Sequence, residues 1–400
     1  MVTALDMVAP GDEVVLLDGV YNQALMIYKG GVEGAPVVIR AANTHQAIIR
    51  TPYDRLARVL ASYVTVRGIQ FDGAQTGGNR GAVRVGPGDE VYNVARPIHH
   101  VILENLWVHH TRAAAICITS GEHDVIVRDC LVENIGYYEF WGEGFYLGHK
   151  TDPSQTIYNI DIYGNTVRGF TENGAECKKF SRNVSIHHNR FYNQVLWADY
   201  GGDPARGNDG TITLDGHSNS AYNNTLYNNK CGMAAFVIEP EAGHKVYNNI
   251  IYDGVAPGSN AIRMKNWSKS WPSGQYPSSQ VYSNTFYNLV DHTVGTLDPS
   301  IMVVKNNVGI NLEGNLENVV CTGQIFTDCD NGDFRLVAGS NPIDKANSAP
   351  YSTVDFDGKV AVGTRDAGAF EFNGATPPPP PDTTPPRPPE GLKVTKITAN

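Results

Sequence analysis

The chain has 400 residues, of which 41% are apolar and only 18% charged. That apolar share is enough for a packed core and excludes a disordered chain, and no apolar run approaches the roughly 18 residues of a membrane-crossing helix. A net charge of −10 sets the chain against nucleic acid and anionic membrane as partners. Gly (41), Asn (34), Pro (23) and Tyr (20) are prominent, whereas the Leu, Ala, Glu and Lys of a helical bundle do not dominate.

From the N-terminus, residues 1–6 carry neither a basic stretch nor a long apolar run, and read as a mature fragment without its export signal. A phrase then recurs along the chain: a β-branched or aromatic residue, two polar residues, Asn, then a second β-rich run. It appears as VRGIQF, LENLWV, VRDCLV, IYGNTV, HHNRFY, YNNTLY, YNNIIY, YSNTFY and VKNNVG. The marks are Gly68, Asn105, Asp129, Asn165, Asn189, Asn224, Asn249, Asn284 and Asn307, spaced 37, 24, 36, 24, 35, 25, 35 and 23 residues apart. A period of two dozen residues, lengthened on alternate turns, predicts stacked coils of short strands, because one such unit buries no face alone. The fold class is therefore all-β, a parallel β-helix of about ten or more coils with loop inserts along one face. Asn at the turns suits a left-handed backbone and side-chain ladders between coils.

Six cysteines are too few for a disulfide scaffold and lack zinc spacing. Cys321 and Cys329 are candidates to pair, and the others read as buried thiols. Residues 376–389 (TPPPPPDTTPPRPP) form a stiff Pro-rich linker, and 390–400 begin another segment.

These phrases carry a resemblance. Residues 11–21 (GDEVVLLDGVY) and 36–41 (PVVIRA) are similar to the first coils of secreted polysaccharide lyases, chondroitinase B-like and alginate-lyase-like. Residues 341–346 (NPIDKA) and 365–372 (RDAGAFEF) resemble the terminal coil of bacterial β-helix proteins. Residues 1–375 thus resemble the right-handed parallel β-helix proteins of the pectate-lyase-like superfamily. The resemblance implies a secreted, bacterial-type carbohydrate-active protein. Residues 382–394 (DTTPPRPPEGLKV) resemble the start of a fibronectin type III module, which implies a larger multimodular protein; a monomer with further modules beyond the linker is expected.

One strand repeats in register at 82–86, 115–119, 144–148, 174–178, 211–215, 235–239 and 261–265. Its inward positions, from Val83 and Val85 to Ile262 and Met264, are all apolar. Its outward column ends Lys178, Asp215, Glu239, Lys265, with Glu176 and Arg263 one step along the strand. Coils about 4.8 Å apart make these a contiguous ladder. A solvated row of salt bridges is the plainer explanation. Inserts at 87–99, 149–157, 195–210 and 266–279 lie beside the same strand and carry or approach Trp141, Tyr146, His149, Trp197, Tyr200, Trp267 and Trp271, with His217 at the rim. Exposed aromatics beside a polar strip suit sugar rings, although such residues also serve as loop-packing hydrophobes.

Three readings stay open. β-Elimination on a uronic-acid polysaccharide needs a base and a neutraliser for the substrate carboxylate. Lys178 is the base candidate, provided its pKa is lowered, with Lys179 in reserve and Arg263 and Lys265 as carboxylate binders. Ca²⁺ is the expected cofactor, with Glu176, Asp203 and Asp209 as ligands. Chondroitinase B-like lyases carry a Glu-x-Glu pair before the Lys and an Arg one coil later. Here Glu172 stands near the first Glu, Gly174 replaces the second, Lys179 matches the Lys and Leu214 stands near the Arg. Glycoside hydrolysis by Asp215 and Glu239 is the second reading; Arg263-Met264-Lys265 resembles the basic strand of polygalacturonase-like hydrolases, without their aspartate pair. A noncatalytic polysaccharide-binding β-helix is the third.

Overall fold

A computed structural model describes residues 2–373 apart from 52–54, 75–80, 89–95, 137–141, 196–209, 231–233, 255–259, 266–271, 273, 290–293, 296–297, 299, 311–314, 316–324, 347–348 and 351. Three strands per coil deal the chain in rotation into three long sheets of eleven, ten and ten described strands. The first sheet runs from Glu13–Leu16 to Met302–Lys305, the second from Gly19–Tyr21 to Thr285–Leu289 and the third from Leu25–Ile27 to Val294–Gly295. Within each sheet, neighbours are every third strand and pair in parallel. This is the right-handed parallel β-helix that the repeat predicts. The short N-terminal helix Val2–Met7 buries Leu5 in the core.

Strand alternation sends one set of side chains into the bore, where a single apolar cluster runs from Leu5 to Ile310. The predicted phase of the third sheet matches the register: Val85 pairs with Ile118, Ile118 with Leu147, Leu147 with Cys177, Cys177 with Leu214, Leu214 with Ile238 and Ile238 with Met264. All seven are buried. A one-residue slip would put Lys178 and Asp215 in the bore instead.

The turn between the first and second sheets divides two jobs between consecutive residues. The first adopts a left-handed backbone: Gly68, Asn105, Asp129, Gly164, His188, Asn223, Asn248, Ser283 and Asn306 have φ between 51° and 67°. The second points inward. Asn165, Asn189, Asn224, Asn249, Asn284 and Asn307 occupy this place and form a buried ladder. From Asn189 onward each Oδ1 accepts the backbone N–H and the Nδ2–H of the preceding member at 2.8–3.0 Å. The first three sequence marks therefore fall one residue early, on the left-handed position. There the inward residues are Ile69, Leu106 and Cys130, and the ladder starts only when the Cys130 N–H reaches Asn165 Oδ1 at 2.9 Å.

The end of the chain differs from the expected terminal coil. Residues 341–346 and 365–372 add no strand to any of the three sheets. They pack in a second apolar cluster with Ile250, Val308, Phe326 and Phe334. A fully buried Arg365–Glu371 pair ties this flap together, and the Asn248 contacts to Ser352 (3.1 Å) and Val354 (2.7 Å) fasten it to the last coils. Cys117, Cys130 and Cys177 are buried free thiols, and Cys329 is disulfide-bonded. Cys321, the linker at 376–389 and the segment 390–400 lie outside the described residues.

Candidate functional site

The third sheet brings the predicted row together. Lys178, Asp215, Glu239 and Lys265 each follow the last residue of a strand: Ala175–Cys177, Gly210–Leu214, Ala234–Ile238 and Asn260–Met264. Their backbone N–H groups continue the ladder, Asp215 to Cys177 O (3.2 Å), Glu239 to Leu214 O (3.0 Å) and Lys265 to Ile238 O (2.8 Å). The four residues thus stand on successive coils. Glu176 and Arg263 lie two residues before Lys178 and Lys265, on the same outward face.

The row is not the solvated strip that an outward column implies. Lys178, Asp215, Glu239 and Glu176 are all less than a tenth exposed. Burial of charge is tolerable only with partners. Lys178 Nζ pairs with Glu176 Oε1, and Lys265 Nζ reaches over the intervening coil to Asp215 Oδ2. Lys178 Nζ also lies 4.7 Å from the centre of the Tyr146 ring, a cation–π contact. Glu176 Oε2 and Asp215 Oδ1 are buried and make no hydrogen bond.

Electrostatics correct one expectation. A lysine base requires a lowered pKa, but Lys178 is held above the ordinary lysine range. Burial works against its charge, and Glu176, Tyr146 and Glu143 outweigh burial. Asp215 is raised by burial, opposed by Lys265. In this arrangement Lys178 is an ammonium group, with Glu176 the largest of the contacts that favour its charge.

The remaining predicted residues separate. His149 Nδ1 accepts the N–H groups of Thr151 (3.2 Å) and Asp152 (2.8 Å), so its ring shapes the turn that follows the third sheet. His217 stacks on Tyr276 with ring centres 4.3 Å apart. Lys179 lies over Phe180 at 5.5 Å. Trp141, Trp197, Tyr200, Trp267 and Trp271 lie outside the described residues, as do the proposed calcium ligands Asp203 and Asp209. Of the proposed ligands Glu176 is described. Its Oε2 and Asp215 Oδ1 are hard oxygen atoms of the kind Ca²⁺ takes, while Lys178 and Lys265 hold the other oxygen of each carboxylate.

The departures from the chondroitinase B-like motif have a physical cause. A Cβ on Gly174 would lie 2.4 Å from Cδ1 of the buried Phe191. Leu214 is fully buried in the bore. Neither position has room for an acid or a guanidinium.

Sequence reasoning passed over the other end of the same face. Arg58, Arg84, Cys117, Tyr146 and Glu176 are register partners on successive coils. Arg58 is almost fully buried, as are Glu122, which interacts with Arg84, and Glu143, which interacts with Cys117 and Tyr146. The signal was in the alignment, since Arg84 occupies the outward place of its strand. Burial lifts Glu122 to about 7.

No protein-family model matches the sequence, and no curated protein matches it. Solved structures do. An alginate lyase from Paenibacillus sp. str. FPU-7 aligns with a TM-score of 0.57 at 17% identity, over 74% of this chain and 95% of that one. Pectate lyase Pel9A aligns with a TM-score of 0.61 at 16% identity, over 93% and 91%. The enzymatically active domain of bacteriophage CBA120 tailspike protein 2 aligns at 0.51 and 13% identity, over 72% and 43%. Among the described residues, no helix is long and apolar enough to cross a membrane. The chain has the right-handed parallel β-helix fold of the pectate-lyase-like proteins, which pectate and alginate lyases share.

Proposed function

We propose that the protein is an extracellular polysaccharide lyase that cleaves a uronic-acid-containing polymer by β-elimination. The observation that carries this reading is the ionisable row Lys178, Asp215, Glu239 and Lys265, with Glu176 and Arg263, buried at Lys178, Asp215, Glu239 and Glu176 and half-buried at Arg263 and Lys265, on one face of a β-helix whose structural neighbours include pectate and alginate lyases. Buried, mutually paired charges in one strip are unusual for a purely structural surface.

Elimination needs a cation near the substrate carboxylate and a base at the adjacent carbon. Arg263 and Lys265 supply fixed positive charge for the carboxylate. Lys178 is the candidate base once substrate entry draws Glu176 off its ammonium and that ammonium has released its proton to solvent, leaving a neutral amine to take the substrate proton. Glu176 and Asp215 would hold Ca²⁺; a bound ion would neutralise the substrate carboxylate. Tyr146 holds the Lys178 ammonium over its ring and supplies an aromatic face.

A second reading, glycoside hydrolysis, draws on Asp215, whose raised pKa suits a proton donor, with Glu239 one coil away. The Lys265 pairing counts against it, because it stabilises the ionised form of Asp215. Incubation with pectate and with alginate separates the readings. Unsaturated uronate absorbing in the ultraviolet is the lyase result. Reducing ends without that absorbance overturn it in favour of hydrolysis, and retention on the polymer with neither product indicates a binding protein.

A further inference from the structure

A second cluster lies on the outer face of a different sheet. Strand Gln70–Asp72 pairs with Trp107–Thr111, and Asp72 stands opposite His109. His110 has φ 51°, which brings its side chain to the same side as that of His109 instead of the opposite side. The two Nδ1 atoms face each other at 2.6 Å, and Asp72 Oδ1 lies 3.7 Å from His109 Nδ1. One donor atom from each of the three residues falls within 4.8 Å of the others.

We propose that Asp72, His109 and His110 form a binding site for a first-row divalent metal ion, Zn²⁺ being the best match. Two imidazole nitrogens and one carboxylate oxygen suit zinc, with a fourth tetrahedral position left for water. Facing imidazoles are not enough by themselves. His99–His100 and His187–His188 make the same left-handed turn with Nδ1 atoms 2.8 and 2.7 Å apart. In the 187–188 pair the nearby carboxylate, Asp161, binds the far nitrogen, His187 Nε2, at 2.8 Å. Among the described residues, only the 109–110 pair brings a third donor within reach of both rings.

The surroundings are those of a metal site. The Gln70 side-chain amide lies 2.8 Å from His109 Nε2 and fixes the ring. It is the amide nitrogen that faces Nε2 in this structure; ion binding at Nδ1 requires the amide to turn over, so that its oxygen accepts from a protonated Nε2 and Nδ1 is left with its lone pair. Arg50 binds Asp72 Oδ2 at 2.7 Å, and Oδ1 accepts the Ala74 N–H at 2.8 Å with a second lone pair to spare. Trp107 walls the His109 ring at 4.5 Å. Asp72 and His109 are buried and His110 is half-buried, so the ion enters past His110. Tetrahedral zinc needs its nitrogens about 3.3 Å apart, a small rotation of the His110 ring from the present contact. The ion would fasten the turn after Asp72 to the next coil, three third-sheet strands away from Lys178.

The test uses the full chain, stripped with a chelator and titrated with Zn²⁺ alone by calorimetry, with metal content read by mass spectrometry. The expected result is one equivalent per chain and a raised Tm. His110→Asn keeps a residue that tolerates the left-handed turn, and Asp72→Asn keeps the acceptor for Ala74. Each should weaken Zn²⁺ binding by about tenfold or more. His188→Asn, the same change at the look-alike pair, should leave binding unaltered. Should His110→Asn fail to fold, Asp72→Asn carries the test. Absence of stoichiometric binding, or binding as tight in Asp72→Asn as in the parent chain, overturns the assignment.

Discussion

Replacing Asn224 with Ala tests what holds the coils in register. Asn224 Oδ1 accepts the Asn189 N–H and Nδ2–H, each at 3.0 Å. Its Nδ2 donates to Ile186 O at 2.8 Å and to Asn249 Oδ1 at 3.0 Å. Alanine removes all four bonds. It leaves the Asn189 N–H and the Ile186 carbonyl without these side-chain partners in a dry site. An orphaned buried polar group costs about 1–3 kcal/mol, so the loss should be about 3–5 kcal/mol. The matched control is Asn228→Gly, at an exposed left-handed position whose side chain binds only Asn193 Oδ1 at 2.6 Å. Glycine keeps that backbone, and the change should stay within about 0.5 kcal/mol. Urea unfolding followed by circular dichroism reads both. Equal midpoints for the two variants would refute the argument that the inward ladder, and not asparagine at the turns in general, stabilises the stack.

Other consequences follow from the buried charges. Lys178→Met should abolish turnover and destabilise the chain by about 3 kcal/mol, because Glu176 is left buried without its partner; adding Glu176→Gln should recover part of the stability and none of the activity. Glu122 is lifted by burial to about 7, so the folded chain holds a proton that the unfolded chain releases near 4.5. Its contribution is therefore complete below pH 4.5 and declines as pH rises to about 7. Glu122→Gln should flatten that slope and add about 3 kcal/mol at pH 8, measured by urea midpoints across pH. His244 runs the other way. Burial lowers it to about 3, so its stabilisation is complete above pH 6.5 and is lost as pH falls toward 3; His244→Gln should shallow the acid limb of the same curve.

The β-helix was legible because its period is written twice, in polar turns and in apolar alternation. Either signal alone fixes the coil length, and their agreement fixes the phase that sets Lys178, Asp215, Glu239 and Lys265 in line. The finer turn chemistry was not legible. Asn serves both the left-handed position and the inward ladder, so Asn105 and Asn165 look alike in the sequence while doing different work. Electrostatics were hidden for another reason. Spacing shows that Glu176 and Lys178 share a face, but not that burial forces them to pair and keeps the lysine charged. The histidine cluster escaped because two of its members, His109 and His110, are adjacent. Strand alternation would put adjacent side chains on opposite faces, and only the left-handed turn at His110 brings them together.

The proposed function puts polysaccharide over the ionisable row of the third sheet. A crystal structure of the Lys178→Ala chain soaked with an oligouronate tests it most directly. Sugar is expected over the row, with a carboxylate group in contact with Arg263 or Lys265. Ordered sugar confined to the first or second sheet, with this row untouched, would contradict it.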